Sequence, residues 1–158
     1  MADKYLKQDN DYGCGVFACI NAFNNIKKKC LTYSHVSKME KILKTCKDYG
    51  THEKHMMKWL GGYFRVTSRK KFDKKFFNEW IAKDKQQAIV LYCYNRSNYE
   101  FHWANVFGKS DDVYDGVNFY IPNKINRWYY TKKCNVDILD KLMRLEPEET
   151  YIIYLREK

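Results

Sequence analysis

Residues 7–23 read KQDNDYGCGVFACINAF. Cys14 stands between Gly13 and Gly15, directly before a run in which Val16, Phe17, Ile20 and Phe23 recur at helical spacing to about Ile26. Two flanking glycines are a poor helix start for a cysteine that only fills core. They suit a backbone that turns sharply and leaves the sulfur reachable. A thiol at that place faces the positive end of the helix dipole and unpaired backbone N–H groups, which favour the thiolate. The same N–H groups can stabilise an oxyanion on a carbonyl that the sulfur attacks. Gln8, six positions upstream, carries an amide able to donate to that oxyanion.

The chain around this stretch has 158 residues, the length of one domain, and 45% hydrophobic content gives it enough apolar surface to bury a core. We expect one domain over residues 1–158. No stretch approaches the roughly 18 apolar residues of a membrane span. The polar start MADKYLKQDN contains no signal-peptide core. These features point to a soluble protein of the cytoplasm, or of a host-cell interior if the source is viral. The six cysteines (14, 19, 30, 46, 93 and 134) show no Cys-x-x-Cys spacing, which disfavours zinc ribbons and thioredoxin-type redox chemistry. Free thiols are expected, with Cys19, Cys46 and Cys93 in the core. The net charge of +10 suits a nucleic acid or an acidic partner, and equally a solvated lysine-rich surface.

The first half reads as helical. A second helix is expected from a Ser34 cap to Cys46, a short third one from a Thr51 cap to Gly61-Gly62, and a fourth from Asp73 with Phe76, Phe77, Trp80 and Ile81 on one face. The second half turns to strands. Residues 87–94 (QAIVLYCY) form a continuous apolar run typical of a central strand. Residues 101–107 and 113–121 follow, separated by the turn GKSDD. A helix over 135–145 and a strand over 150–155 close the chain. The pattern is α+β, with the helical half that carries Cys14 packed on a C-terminal antiparallel sheet.

A nucleophilic thiol needs a base. His102, in the strand FHWANVF, is the histidine on the rigid sheet half, where it can face the Cys14 helix. His52 and His55 lie three apart on the short third helix without a further metal ligand at recognisable spacing, so no metal or cofactor is expected. His35 reads as surface. A turn centred near Ser110 places position 118 or 119 opposite His102, and position 115 near Val106. Asn118 has an amide oxygen able to accept from the imidazole and is the first candidate for orienting it. Asp115 is the second, because Asp115-Gly116 is itself a hairpin signal that would shift the register.

Taken in order, these residues resemble a papain-like cysteine peptidase, and most closely the free-standing relatives of the bacteriocin-leader-processing, double-glycine peptidases. The resemblance is carried by Gln8 and Cys14 in QDNDYGCGVFACINAF, by YGTHEKHMMKWLGGYFRV, by the buried strand QQAIVLY, and by FHWANVFG with a hairpin return through Asn118. It implies a Cys–His pair, an Asn or Asp that orients the His, a Gln in the oxyanion hole, and hydrolysis of a peptide or isopeptide bond through an acyl-enzyme. The same site supports deamidation or acyl transfer. The alternative is a binding module on the same scaffold, in which the Tyr, Trp and Lys of INRWYYTKK grip nucleic acid or an acidic protein.

Overall fold

The computed structural model describes residues 4–10, 12–27, 30–123, 125 and 127–158. Within them the order is α1 (Cys14–Ile26), a 3-10 turn (Tyr33–His35), α2 (Val36–Ile42), α3 (Glu53–Gly61), β1 (Phe64–Arg69) and α4 (Lys74–Ile81). Next come β2 (Gln86–Asn95), β3 (Glu100–Ser110), β4 (Val113–Pro122), β5 (Trp128–Asn135), α5 (Val136–Leu145) and β6 (Tyr151–Glu157). The strands form one antiparallel sheet in the order β1-β6-β2-β3-β4-β5. The fold is the α+β arrangement expected from the sequence.

Helices cover both faces of this sheet. Alternation along β2 and β6 sends Ile89, Ile153 and Leu155 into one cluster with α1 and α3. It sends Ala88, Val90, Tyr92, Ile152 and Tyr154 into a second cluster with α4 and α5. Ten of the thirteen residues of α1 are buried, so this helix is apolar nearly all round. Two buried amides lock it to the sheet: Gln87 Nε2 donates to Ala22 O at 2.9 Å, and Asn105 Nδ2 to Ala18 O at 2.8 Å.

Several expected boundaries shift for local reasons. The second helix does not run from Ser34 to Cys46. A 3-10 turn capped at Thr32 precedes it, and it stops at Ile42 because Lys44 adopts a left-handed backbone and Cys46 pairs with Gly50. Thr51 does not cap α3. Its hydroxyl lies 2.7 Å from that of Thr45, and His52 Nδ1 accepts from Lys54 N instead. Asp73 caps α4, accepting from Phe76 N. The edge strands β1 and β5 escaped the sequence reading because FRVTSR and WYYTKKCN lack a continuous apolar run. No helix among the described residues is long and apolar enough to cross a membrane.

Candidate active site

Cys14 is the first residue of α1, and Gly13 before it offers no side-chain cap, so the first-turn N–H groups stay open. The glycines serve close approach rather than a sharp turn. Gly13 has an ordinary φ of −89°, but a Cβ there would lie 2.5 Å from Asn10 Oδ1. A Cβ on Gly15 would lie 2.7 Å from Thr51 Cβ, so the bare backbone lets the loop before α3 close against the helix start. The thiol sits at the bottom of a cleft between that loop and the sheet. One half of the cleft, about 270 Å³, is walled by Thr51, His52, Leu91 and Trp103. The other, about 460 Å³, is walled by Tyr12, Tyr94 and Glu100. Cys14, Tyr49, Gly50, Tyr99 and Phe101 border both halves, so Cys14 lies where they meet.

Three backbone groups favour a charge on this sulfur: those of Trp103, Gly15 and Cys14 itself. Burial outweighs them and pushes the thiol up. The sequence expectation of a ready thiolate is corrected here, because the helix start is covered by its own cleft walls. Trp103 follows His102 directly, so the main chain of the candidate base runs beside the thiol. Cys14 and His102 are not hydrogen-bonded to each other.

His102 is buried and ringed by Tyr92, Tyr94, Tyr120 and Tyr130, with ring centroids 5.6–6.4 Å away. Burial lowers its pKa to about 4, against a smaller upward effect of the Asn118 carbonyl. Nε2 lies 2.6 Å from that carbonyl oxygen, a bond only an Nε2–H can donate. The neutral ring therefore carries its proton on Nε2 and a lone pair on Nδ1.

Asn118 thus meets His102 through its main chain, not through the side-chain amide oxygen expected from the sequence. The cause is local: pairing of β4 with both neighbours is irregular around this point, and Asn118 itself has φ 59°. Its side chain is committed elsewhere. Oδ1 accepts from Gln8 N at 3.0 Å, and Nδ2 donates to Leu6 O at 3.0 Å. Asn21 in α1 grips the same segment, accepting from Leu6 N at 2.7 Å and donating to Leu6 O at 3.0 Å. The sequence reading missed Asn21; its signal was an amide on an otherwise apolar helix face.

Gln8 is buried, and its Nε2 donates to Asn10 O at 2.6 Å. The second hydrogen of that amide is not used by Asn10. Asp115 lies across from Gly108, not Val106, where it accepts from Lys133 Nζ at 2.7 Å and from Ser110 Oγ at 3.2 Å. Gln8, Asn118 and His102 are therefore linked in one hydrogen-bonded series, and Asp115 stands outside it.

No group of His, Cys, Asp and Glu able to hold a metal occurs among the described residues, and all six cysteines are free thiols. Cys19 and Cys93 are buried, Cys46 is half-buried, Cys134 is buried as well, and Cys30 is exposed. Of the three aromatic residues proposed to stack nucleic acid, Tyr129 is 46% exposed and the other two pack on other aromatic rings. Trp128 packs on Tyr94 and Tyr120, and Tyr130 packs on His102 and Tyr120.

No protein-family model matches this chain, and no curated protein matches its sequence. Solved structures do match. The peptidase domain of Streptococcus ComA, a bi-functional ABC transporter involved in a quorum-sensing pathway, superposes with a TM-score of 0.59 at 13% identity over 97% of each chain. A double glycine motif protease from an AMS/PCAT transporter, solved with the leader peptide, superposes with a TM-score of 0.62 at 11% identity. That match covers 96% of this chain and 89% of the other. The fold is that of the papain-like cysteine peptidase domains of double-glycine type.

Proposed function

We propose that this chain is a papain-like thiol hydrolase that takes an extended polypeptide along the cleft and cleaves an acyl bond at Cys14. What supports the reading most is the position of Cys14 at the junction of the two cleft halves, which leaves room for chain on both sides of the scissile carbonyl. For turnover the His102 ring, which lines neither half of the cleft, has to come within reach of the thiol. The Cys14 S–H proton then passes to Nδ1 of His102 while Nε2–H stays on the Asn118 carbonyl. The sulfur bonds to the carbonyl carbon, and the oxygen takes the negative charge, held by the Cys14 N–H and the second N–H of Gln8 Nε2. The C–N bond then breaks, His102 returns the proton to the leaving amine, and a thioester remains. Water attacks the thioester, its proton passing through His102, and the C–S bond breaks to release acid and thiol. Asn118 and Asn21 act as positioning residues for Gln8 and the imidazole.

A peptide carrying an acyloxymethyl ketone tests this. Labelling is expected at Cys14 with saturation kinetics and is expected to disappear in His102→Ala. Saturable labelling of another cysteine, or undiminished labelling in His102→Ala, would overturn the assignment.

A second reading keeps the same cleft as a polypeptide-binding site without turnover. It is favoured by the pair's resting state: a thiol pushed up, an imidazole pushed down, and no hydrogen bond between them. Peptide bound equally by the native chain and by Cys14→Ala, with no product from the native chain, would select it.

A further inference from the structure

We propose that the cleft selects cationic polypeptide segments, accepting lysine or arginine side chains on both sides of Cys14. The inference rests on the reading of the cleft as a polypeptide site, and it concerns what that site prefers. The chain as a whole carries 29 lysines and arginines against 19 acidic residues. The cleft has the opposite balance. In one half Glu53 stands on the α3 side and Glu149 on the sheet side. In the other half the corresponding pair is Asp48 and Glu100. Lys47 is the one lysine or arginine among the described residues lining either half, and its ammonium lies 6.0 Å from the Tyr12 ring centroid.

Among the described residues no lysine or arginine makes an ion pair with Asp48, Glu53, Glu100 or Glu149; the ion pairs present lie elsewhere, and Glu53 has only His52 nearby at 3.6 Å. Two of the carboxylates have phenols beside them instead. Desolvation first, and then Glu149, raises Tyr99; burial first, and then Glu100, raises Tyr94. The cleft also offers open aromatic faces, with Tyr49 75% and Tyr99 53% exposed, and such faces attract cations. Carboxylates on both walls of a groove add their fields inside it, where a bound cation lies close to several of them at once. Outside, the net charge of +10 repels a basic ligand at long range, so the preference acts at short range, within the groove.

Paired methanethiosulfonate reagents, one bearing a trimethylammonium group and one a sulfonate, test this on the full chain at pH 8. Each forms a mixed disulfide with a thiol and releases a sulfinate, and mass spectrometry reads the rate at each cysteine. Cys30 is the internal reference: it is exposed and follows Lys27, Lys28 and Lys29 in sequence. The cation-to-anion rate ratio at Cys14 is expected to exceed that at Cys30 by about tenfold or more. It should fall toward the Cys30 value in the double variant Glu100→Gln, Glu149→Gln. Equal ratios at the two thiols, or an unchanged ratio in the double variant, would overturn the proposal. A Cys14→Ala chain should likewise bind a fluorescent decapeptide with lysine flanks about tenfold tighter than one with glutamate flanks. Binding of both without preference sinks the charge inference and leaves the cleft reading intact. Binding of neither, with Cys14 inert to both reagents while Cys30 is consumed, sinks the cleft reading itself.

Discussion

The main-chain oxygen of Asn118 lies 2.6 Å from Nε2 of His102, while the side chain of the same asparagine holds the backbone of Gln8. One residue therefore sets the tautomer of the candidate base and the place of the candidate oxyanion donor. A substitution there acts on both.

Asn118→Ala is expected to lower stability as well as turnover. It removes two buried hydrogen bonds and leaves Leu6 O and Gln8 N with fewer partners, at about 1–3 kcal/mol for each group left unsatisfied. It also puts an alanine at φ 59°. Asn118→Gly keeps the backbone conformation and should retain more activity per folded molecule. Thermal melts read beside peptide cleavage check this. A fully stable but inactive Asn118→Ala would show that the side chain, not the carbonyl, does the orienting.

The depressed pKa of His102 predicts a loss of stability in acid. The folded value of about 4 lies below the ordinary 6.5, so between these values the unfolded chain binds the proton more readily. The contribution is fully present above about 6.5 and is lost as pH falls toward 4, with an upper bound of about 3 kcal/mol. Urea unfolding at pH 7.5 and 4.5 should show a larger difference for the native chain than for His102→Gln. Equal differences would mean that the imidazole is not buried as described.

Small reagents and peptide reagents should rank the thiols differently. Iodoacetamide at pH 7 is expected to modify exposed Cys30 before Cys14, whose thiol burial pushes up. A peptide electrophile that fills the cleft should reverse the order. Peptide mapping after limiting reagent checks both. Cys14 reacting first with iodoacetamide at neutral pH would show a thiolate in the free protein.

Gly15→Ala should cost about 1–3 kcal/mol, because its Cβ would press on Thr51 from 2.7 Å. The loop before α3 must then move away from α1, and peptide affinity should fall with stability. Gly61→Ala is the control: a Cβ there meets nothing within 4 Å at the end of α3, and a neutral or slightly stabilising effect is expected. Similar losses in the two variants would remove the close-approach explanation.

Elements whose burial is local and periodic were legible in the sequence. Val16, Phe17 and Ile20 announced a buried α1, the run QAIVLYCY announced β2, and Asp73 marked the start of α4. The sequence also put forward Gln8, Cys14, His102 and Asn118 as site candidates, because their order is visible in one dimension. It did not reveal β1 or β5, since half-exposed edge strands carry little hydrophobic signal. Which atom of Asn118 meets His102 was decided by irregular strand pairing and a positive φ, neither of which has a residue signature at an asparagine. The protonation of Cys14 and His102 was decided by walls from distant segments, whose desolvation outweighs the helix-start N–H groups. The acidic cleft in a basic chain arises in the same way. Asp48, Glu53, Glu100 and Glu149 become one electrostatic feature only when the fold sets the α3 loop against the sheet, because a field depends on distance in space and not along the chain.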